Sequence, residues 1–131
     1  MIVQPHPHGR VFTAGVGLAD RPVGDDWDAD RQQHLWFAKP PKQVCSGDHI
    51  FALGAGRESA VLGLFEVTSG GPERLENPWD SERWPWAISV RPLAAVDPPS
   101  ATPAPGVRAP RATAARVKDQ GLQRALYAAV S

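Results

Sequence analysis

Two neighbouring runs, Ser46-Gly-Asp-His-Ile-Phe-Ala-Leu53 and Ala60-Val-Leu-Gly-Leu-Phe-Glu-Val-Thr68, decide the fold of this 131-residue chain. Ser46-Gly47-Asp48 has the composition of a tight turn, in which Gly relieves backbone crowding and Asp bonds to its own local backbone. His49 to Leu53 rises from it as a first extended run. After the loop Gly54-Ala-Gly-Arg-Glu-Ser, the second run puts Val61, Gly63, Phe65 and Val67 on one face and Leu62 and Leu64 on the other. Apolar residues on both faces describe a strand covered on both sides, so the two runs are predicted to form a central hairpin.

Working outward, Arg10 to Val16 reads as a first strand, ending near Gly15 and Gly17 where backbone is able to approach a ligand closely. Asp25 and Asp26 open a segment that suits the positive end of a helix dipole, and one or two helical turns are expected from Asp26 to Gln33, with Trp27 docking them on the sheet. The segment from His34 begins extended and is halted by Pro40 and Pro41. Trp84, Trp86, Ile88 and Val90 alternate with Pro85, Ala87, Ser89 and Arg91, giving a strand with one core face that ends at Pro92 and pairs with the hairpin. On that face Trp86 is expected to be a core ring. Five prolines make 97–111 extended, since helix and ladder both need the N–H that Pro lacks. Leu122, Ala125, Leu126 and Ala129 then lie at helical spacing and close the chain with an amphipathic helix. The expected architecture is α+β: a small mixed β-barrel or curved sheet with two or three short flanking helices, forming one domain over 1–131 with a flexible 1–9.

Composition narrows the function. Equal numbers of basic and acidic side chains, fourteen each, hide an asymmetry: 1–99 carry nine Lys or Arg against thirteen acids, and 100–131 carry five against one. No apolar run approaches the eighteen or so residues of a membrane span. The first nine residues lack the pattern of a signal peptide, so a cytoplasmic chain is expected. A single cysteine, Cys45, builds neither a disulfide framework nor a thiolate metal site and reads as a small buried filler. His6-Pro-His8 offers two imidazoles without a third ligand. No Gly-x-Ser-x-Gly elbow, Walker loop, His-Glu-x-x-His or Cys-x-x-Cys is present, so neither a catalytic residue, a metal nor a cofactor is expected.

The five tryptophans, against one Tyr and four Phe, are the exception to this plainness. Trp36 stands before the Pro-Pro break, and Trp79 lies in the polar loop Asn77-Pro-Trp-Asp-Ser-Glu, which gives it little reason to be core. Two or three such rings around a slot would hold a flat ligand such as a nucleobase, each stacking contact being worth roughly 1 to 3 kcal/mol.

In order and spacing these features resemble the EVE domain and its relative the YTH domain, of the PUA-like group of small β-barrels. The matching pieces are the strand Val11 to Val16, the segment Asp26 to Gln33, and Trp36. The Gly47-Asp48 turn with its strand follows, then Gly63-Leu-Phe-Glu-Val and Trp84-Pro-Trp-Ala-Ile-Ser-Val-Arg-Pro-Leu. The last piece departs from the family at Ala87, where an Arg is frequent. The resemblance implies a monomeric reader of a modified, often methylated, base in DNA or RNA, working with a nuclease or helicase partner. It implies an aromatic cage with Trp36 as first ring and Trp79 or Trp84 as second. Backbone at Gly17 and Phe37 would read the base edge, and Lys39, Lys42, Arg108, Arg111 and Arg116 would hold phosphates, with Lys118 nearby. The related ASCH group of nucleoside hydrolases would instead need a Lys, a Thr and a Glu converging, for which Lys39, Thr13 and Glu66 are the candidates. A third reading is an accessory domain that binds a peptide or free nucleotide in the same slot.

Overall fold

The computed structural model describes residues 10–16, 28–54, 60–76, 82–96, 110 and 113–130. Among the described residues there are seven strands and one α-helix: β1 (Val11–Val16), β2 (His34–Phe37), β3 (His49–Gly54), β4 (Ala60–Val67), β5 (Glu73–Arg74), β6 (Trp86–Ala95), β7 (Ala115–Arg116) and α1 (Gln120–Ala129). They make one mixed, curled sheet, a half-barrel, in the order β2-β6-β4-β3-β1-β7, with β5 also paired to β6. The three runs singled out in the sequence are neighbours, β3 antiparallel to β4 and β4 antiparallel to β6, whereas β1 joins β3 in parallel.

Period-two alternation sorts the side chains into two cores. Phe12, Ile50, Ala52, Phe65, Val67 and Ile88 meet on one face, and Val11, Phe51, Leu53, Val61 and Leu64 on the other, where Leu126, Tyr127 and Val130 cover them. At β3 the residues from Ile50 to Leu53 are wholly without solvent exposure, as expected for a strand buried on both sides. The phase of β4 differs from strict alternation. Ala52 pairs with Gly63 and Leu53 with Val61, so Leu62 is an inserted bulge residue and Val61 packs with Leu64 rather than with Phe65. Gly63 is needed there because a Cβ would lie 2.8 Å from Ala29 Cβ and 2.9 Å from the Ala94 carbonyl oxygen.

Pro92 does not end its strand, which runs on to Ala95. Val90 donates its N–H to Gln33, and Thr68 donates to the Ser89 carbonyl, so alternate residues of β6 face opposite neighbours. Along that count the nitrogen of Pro92 points away from β4, beyond the span of β2, where no donor is required. The helix expected over Asp26 to Gln33 is, among the described residues, one 3₁₀ turn, Ala29–Arg31, whose Asp28 side chain accepts from the Asp30 N–H. Three residues suffice because its buried Ala29 only has to cap the bulge at Gly63. One α-helix is thus described where two or three helices were expected, and Trp27 and nearly all of 97–111 lie outside the described residues, as does 1–9. No described helix is long and apolar enough to cross a membrane.

Turn and helix are both pinned by polar groups. Gly47 has φ 91°, a left-handed conformation that glycine adopts without strain, and its N–H donates to Val67. The buried Asp48 carboxylate accepts from the Cys45 N–H at 2.8 Å and from the Arg10 N–H and guanidinium at 3.2 Å. Cys45 itself is exposed rather than a buried filler, its backbone held by Asp48 and its sulfur accepting from the Arg10 guanidinium at 3.1 Å. On the helix, Asp119 caps the Leu122 N–H, and the Tyr127 hydroxyl lies 2.5 Å from His49 Nδ1 in the second core. Burial pushes the Tyr127 hydroxyl up to about 12, from 10.

Two outcomes follow. Gly63→Ala should lower stability by about 1–3 kcal/mol through overpacking against backbone, while Gly70→Ala, with open space around it, should stay within about 0.5 kcal/mol; urea midpoints compare them. The raised Tyr127 value means the folded state disfavours the phenolate, so its contribution is full below pH 10 and is lost as pH climbs from 10 toward 12. Tyr127→Phe should cost about 1–3 kcal/mol at neutral pH by leaving His49 without that partner, and should remove this part of the alkaline decline in a pH series of urea melts.

Candidate functional site

β2 presents its residues alternately. Leu35 and Phe37 are buried in the first core, so His34 and Trp36 must stand on the other face, half-buried. Trp36 is opposite Ala87, and Ala87 is opposite Glu73, giving a row of three across β2, β6 and β5. Ala87 is thus the small cross-strand neighbour of the indole, and it is itself buried. The His34 ring lies 5.7 Å from Trp36, tilted at 48°.

The ladder also settles which peptide groups are committed. The bond from the Val90 N–H to Gln33 makes that pair a hydrogen-bonded one, and counting along the same register makes Leu35–Ile88 and Phe37–Trp86 the next. By this count the backbone groups of Phe37, the expected base-edge reader, face β6. The N–H and C=O of Trp36 point the other way, to the edge of β2 that no described strand pairs. Stacking surface and uncommitted amide thus belong to the same residue, with His34 repeating the arrangement two positions earlier.

Trp36 and Trp84 are not brought together. Among the described residues Trp36 touches His34, whereas Trp84 carries the Arg83 guanidinium 5.5 Å from its centroid. Trp86 lies in the row of Phe37, on the face opposite Trp36. It is half-buried at the margin of the first core with the Arg74 guanidinium 6.0 Å above it, rather than the enclosed core ring expected. Trp79 and Gly17 lie outside the described residues, as do Arg108 and Arg111. Lys39 and Lys42 are exposed just beyond β2, near Trp36 in the chain. Arg116 is exposed on β7, the opposite end of the strand order from β2. Lys118 is exposed just after β7.

The alternative hydrolytic set is distributed rather than convergent in the described contacts. The Thr13 hydroxyl is directed at the Ala115 carbonyl (3.5 Å), Glu66 pairs with Arg91 at 2.9 Å, and Lys39 stands beyond β2. Among the described residues no three His, Cys, Asp or Glu side chains are grouped to hold a metal ion. Arg74 and Arg83 were missed by reading the sequence: Arg74 meets Trp86 through the antiparallel pairing of β5 with β6, and Arg83 immediately precedes the Trp84 it covers. No protein-family model matches the chain, and no curated protein or solved structure matches it.

The placement of neighbours on opposite faces of β2 makes a direct contrast. Leu35→Ala should cost about 2–5 kcal/mol of folding stability, as buried leucines do, and Trp36→Ala at most about 1–2 kcal/mol, since its ring is only partly withdrawn from water. Chemical denaturation of both variants tests the assignment of faces.

Proposed function

We propose that the chain is a nucleic-acid-binding module that recognises a modified, methylated nucleobase on an aromatic surface built around Trp36. The observation that carries this reading is the coincidence at Trp36 of a half-exposed indole, a small neighbour at Ala87 and uncommitted main-chain groups on an open edge. A base lifted from its stack needs both elements: a flat face to lie on, and donors and acceptors to read its rim. Added methyl groups strengthen such a contact by about 0.8 kcal/mol per buried CH₂ equivalent. Lys39 and Lys42 supply charge for the flanking phosphates.

The order of elements in the sequence adds support by its resemblance to EVE and YTH domains: the Gly47-Asp48 turn leads into β3, and Gly63-Leu-Phe-Glu-Val lies in β4, its antiparallel partner. Trp79 remains the proposed second ring of a PUA-like cage. A nuclease or helicase would be the partner that turns base recognition into an output.

Calorimetric titration with methylated and unmethylated nucleosides tests the reading. Trp36→Ala should weaken the methylated nucleoside by roughly tenfold to over a hundredfold while the protein stays folded, matching the loss of one stacking face at about 1–3 kcal/mol. An unchanged affinity in a folded variant would remove Trp36, and with it the proposal.

A further inference from the structure

On the sheet face that carries Trp36, a polar track leads away along β6. Ala87, Ser89 and Arg91 alternate onto that face, opposite Trp36, His34 and Glu66 in turn. Ile88 and Val90 between them are buried in the first core, which fixes the phase. The order along the face is therefore indole, then imidazole beside hydroxyl, then guanidinium, each step spanning two strand residues or about 6.8 Å. Trp36, His34 and Ser89 are half-buried, and 61% of the Arg91 side chain is open.

Donors on this track are unspent. The His34 imidazole forms no hydrogen bond among the described residues, its contact being the Trp36 ring. Arg91 gives Nη2 to Glu66 Oε1 at 2.9 Å, which orients the guanidinium, and it engages no other acceptor among the described residues. Cations thus stand in both directions from Trp36: Lys39 and Lys42 follow it past the end of β2, and Arg91 lies the opposite way along the seam. Exposed Glu73, opposite Ala87 on β5, opposes phosphate on the lateral flank.

A nucleotide chain matches this layout. With one base on Trp36, the backbone leaves that nucleoside in two directions, and an extended strand repeats its phosphates at a spacing close to one step of the track. Arg91, about 13 Å from Ala87 along β6, lies beyond the recognised nucleotide's own phosphate and within reach of the next. A guanidinium held on one edge by a carboxylate keeps its remaining N–H groups to bond a phosphate oxygen.

We propose that His34 and Arg91 form a phosphate track leading from Trp36, His34 serving the phosphate of the recognised nucleotide and Arg91 that of its neighbour, so that the site takes a base within a strand. This rests on the nucleic-acid reading of Trp36 and adds the path of the backbone. Glu66 has two opposed effects on the track, holding the guanidinium in place and repelling the phosphate.

The test follows the anisotropy of a short labelled single strand of mixed sequence across a salt series, with urea melts showing that each variant is folded. Arg91→Ala should lower strand affinity about tenfold, as loss of a charged hydrogen bond does, and should make the log–log salt slope shallower by about 0.7, one phosphate's worth for single strands. His34→Phe keeps a ring beside Trp36 and removes the N–H, and it should weaken the strand as well. Glu66→Gln should strengthen strand binding, the opposite sign to Arg91→Ala. An ion pair that is only structural is broken equally by either substitution, so weakening by both overturns the track. Unchanged strand affinity in Arg91→Ala or in His34→Phe overturns it too. Methylated nucleosides, which lack phosphate, should bind Arg91→Ala as they bind the native protein. Nucleoside binding that needs Trp36, beside strand binding indifferent to Arg91, overturns the track and leaves Trp36 standing; strand binding that needs Arg91, without nucleoside binding, supports the track and overturns the Trp36 reading.

Discussion

The rest of the molecule is arranged around the need to keep β3 dry on both faces. Ile50 and Ala52 point to one side and Phe51 and Leu53 to the other, with no measurable exposure for any of them. Burying the large ones is worth about 1.5–3 kcal/mol each, but only if two separate covers exist. On one side the sheet curls over itself and closes around Phe12, Phe65 and Ile88; on the other α1 lies across the strands. The helix brings Tyr127 to the buried His49, a polar pair that an apolar interface requires once an imidazole is placed there. Asp48 then holds the entry to β3 by fixing Arg10 and the Cys45 backbone, joining the first strand's start to the central turn.

β6 carries this closed body out to the candidate site. Its second half, from Val90 to Ala95, pairs with β4 and belongs to the main sheet, while its first half pairs with β2 and β5 and stands apart from β4. Residues of the first half are therefore covered by two short strands. Short strands leave rings half-exposed, and that is where Trp36, Trp84 and Trp86 are found. Every residue of β3 is buried, whereas on β2 only Leu35 and Phe37 are, so the half-buried rings lie toward the margin of the sheet.

Much of this was legible from local pattern. The hairpin β3–β4, the turn at Gly47, the strand at Ile88 and the closing helix each follow from periodicity and punctuation within a few residues. What could not be read depended on partners distant in the chain. The bulge at Leu62 exists because Ala52 and Leu53 pair with Gly63 and Val61; no feature of the run from Ala60 to Thr68 announces it. Pro92 looked like a stop and is tolerated only because its nitrogen faces an unpaired edge, a property of β2's length. The strands of two residues, β5 and β7, are too short to carry any alternation at all. The same limit governed the site: Trp36 was identifiable as an odd ring before a Pro-Pro break, whereas its separation from Trp86 is set by cross-strand register.

That register bears on how a ligand can be held. Two rings on opposite faces of one sheet cannot sandwich a base, because the sheet itself lies between them. On the proposed reading, Trp36 acts either with a ring brought over its own face or as a one-sided platform, and its N–H and C=O on the open edge matter more in the second case. One-sided stacking gains roughly 1–3 kcal/mol, which alone gives weak binding. Discrimination then has to come from hydrogen bonds at the base rim, where a missing partner costs more than a lost contact gains. Because β2 is an edge strand, those groups are pre-aligned by the ladder on its other side and need no reordering on binding. On this argument β2, anchored by the buried Leu35 and Phe37, is kept extended by β6 so that its outer edge remains in position to read.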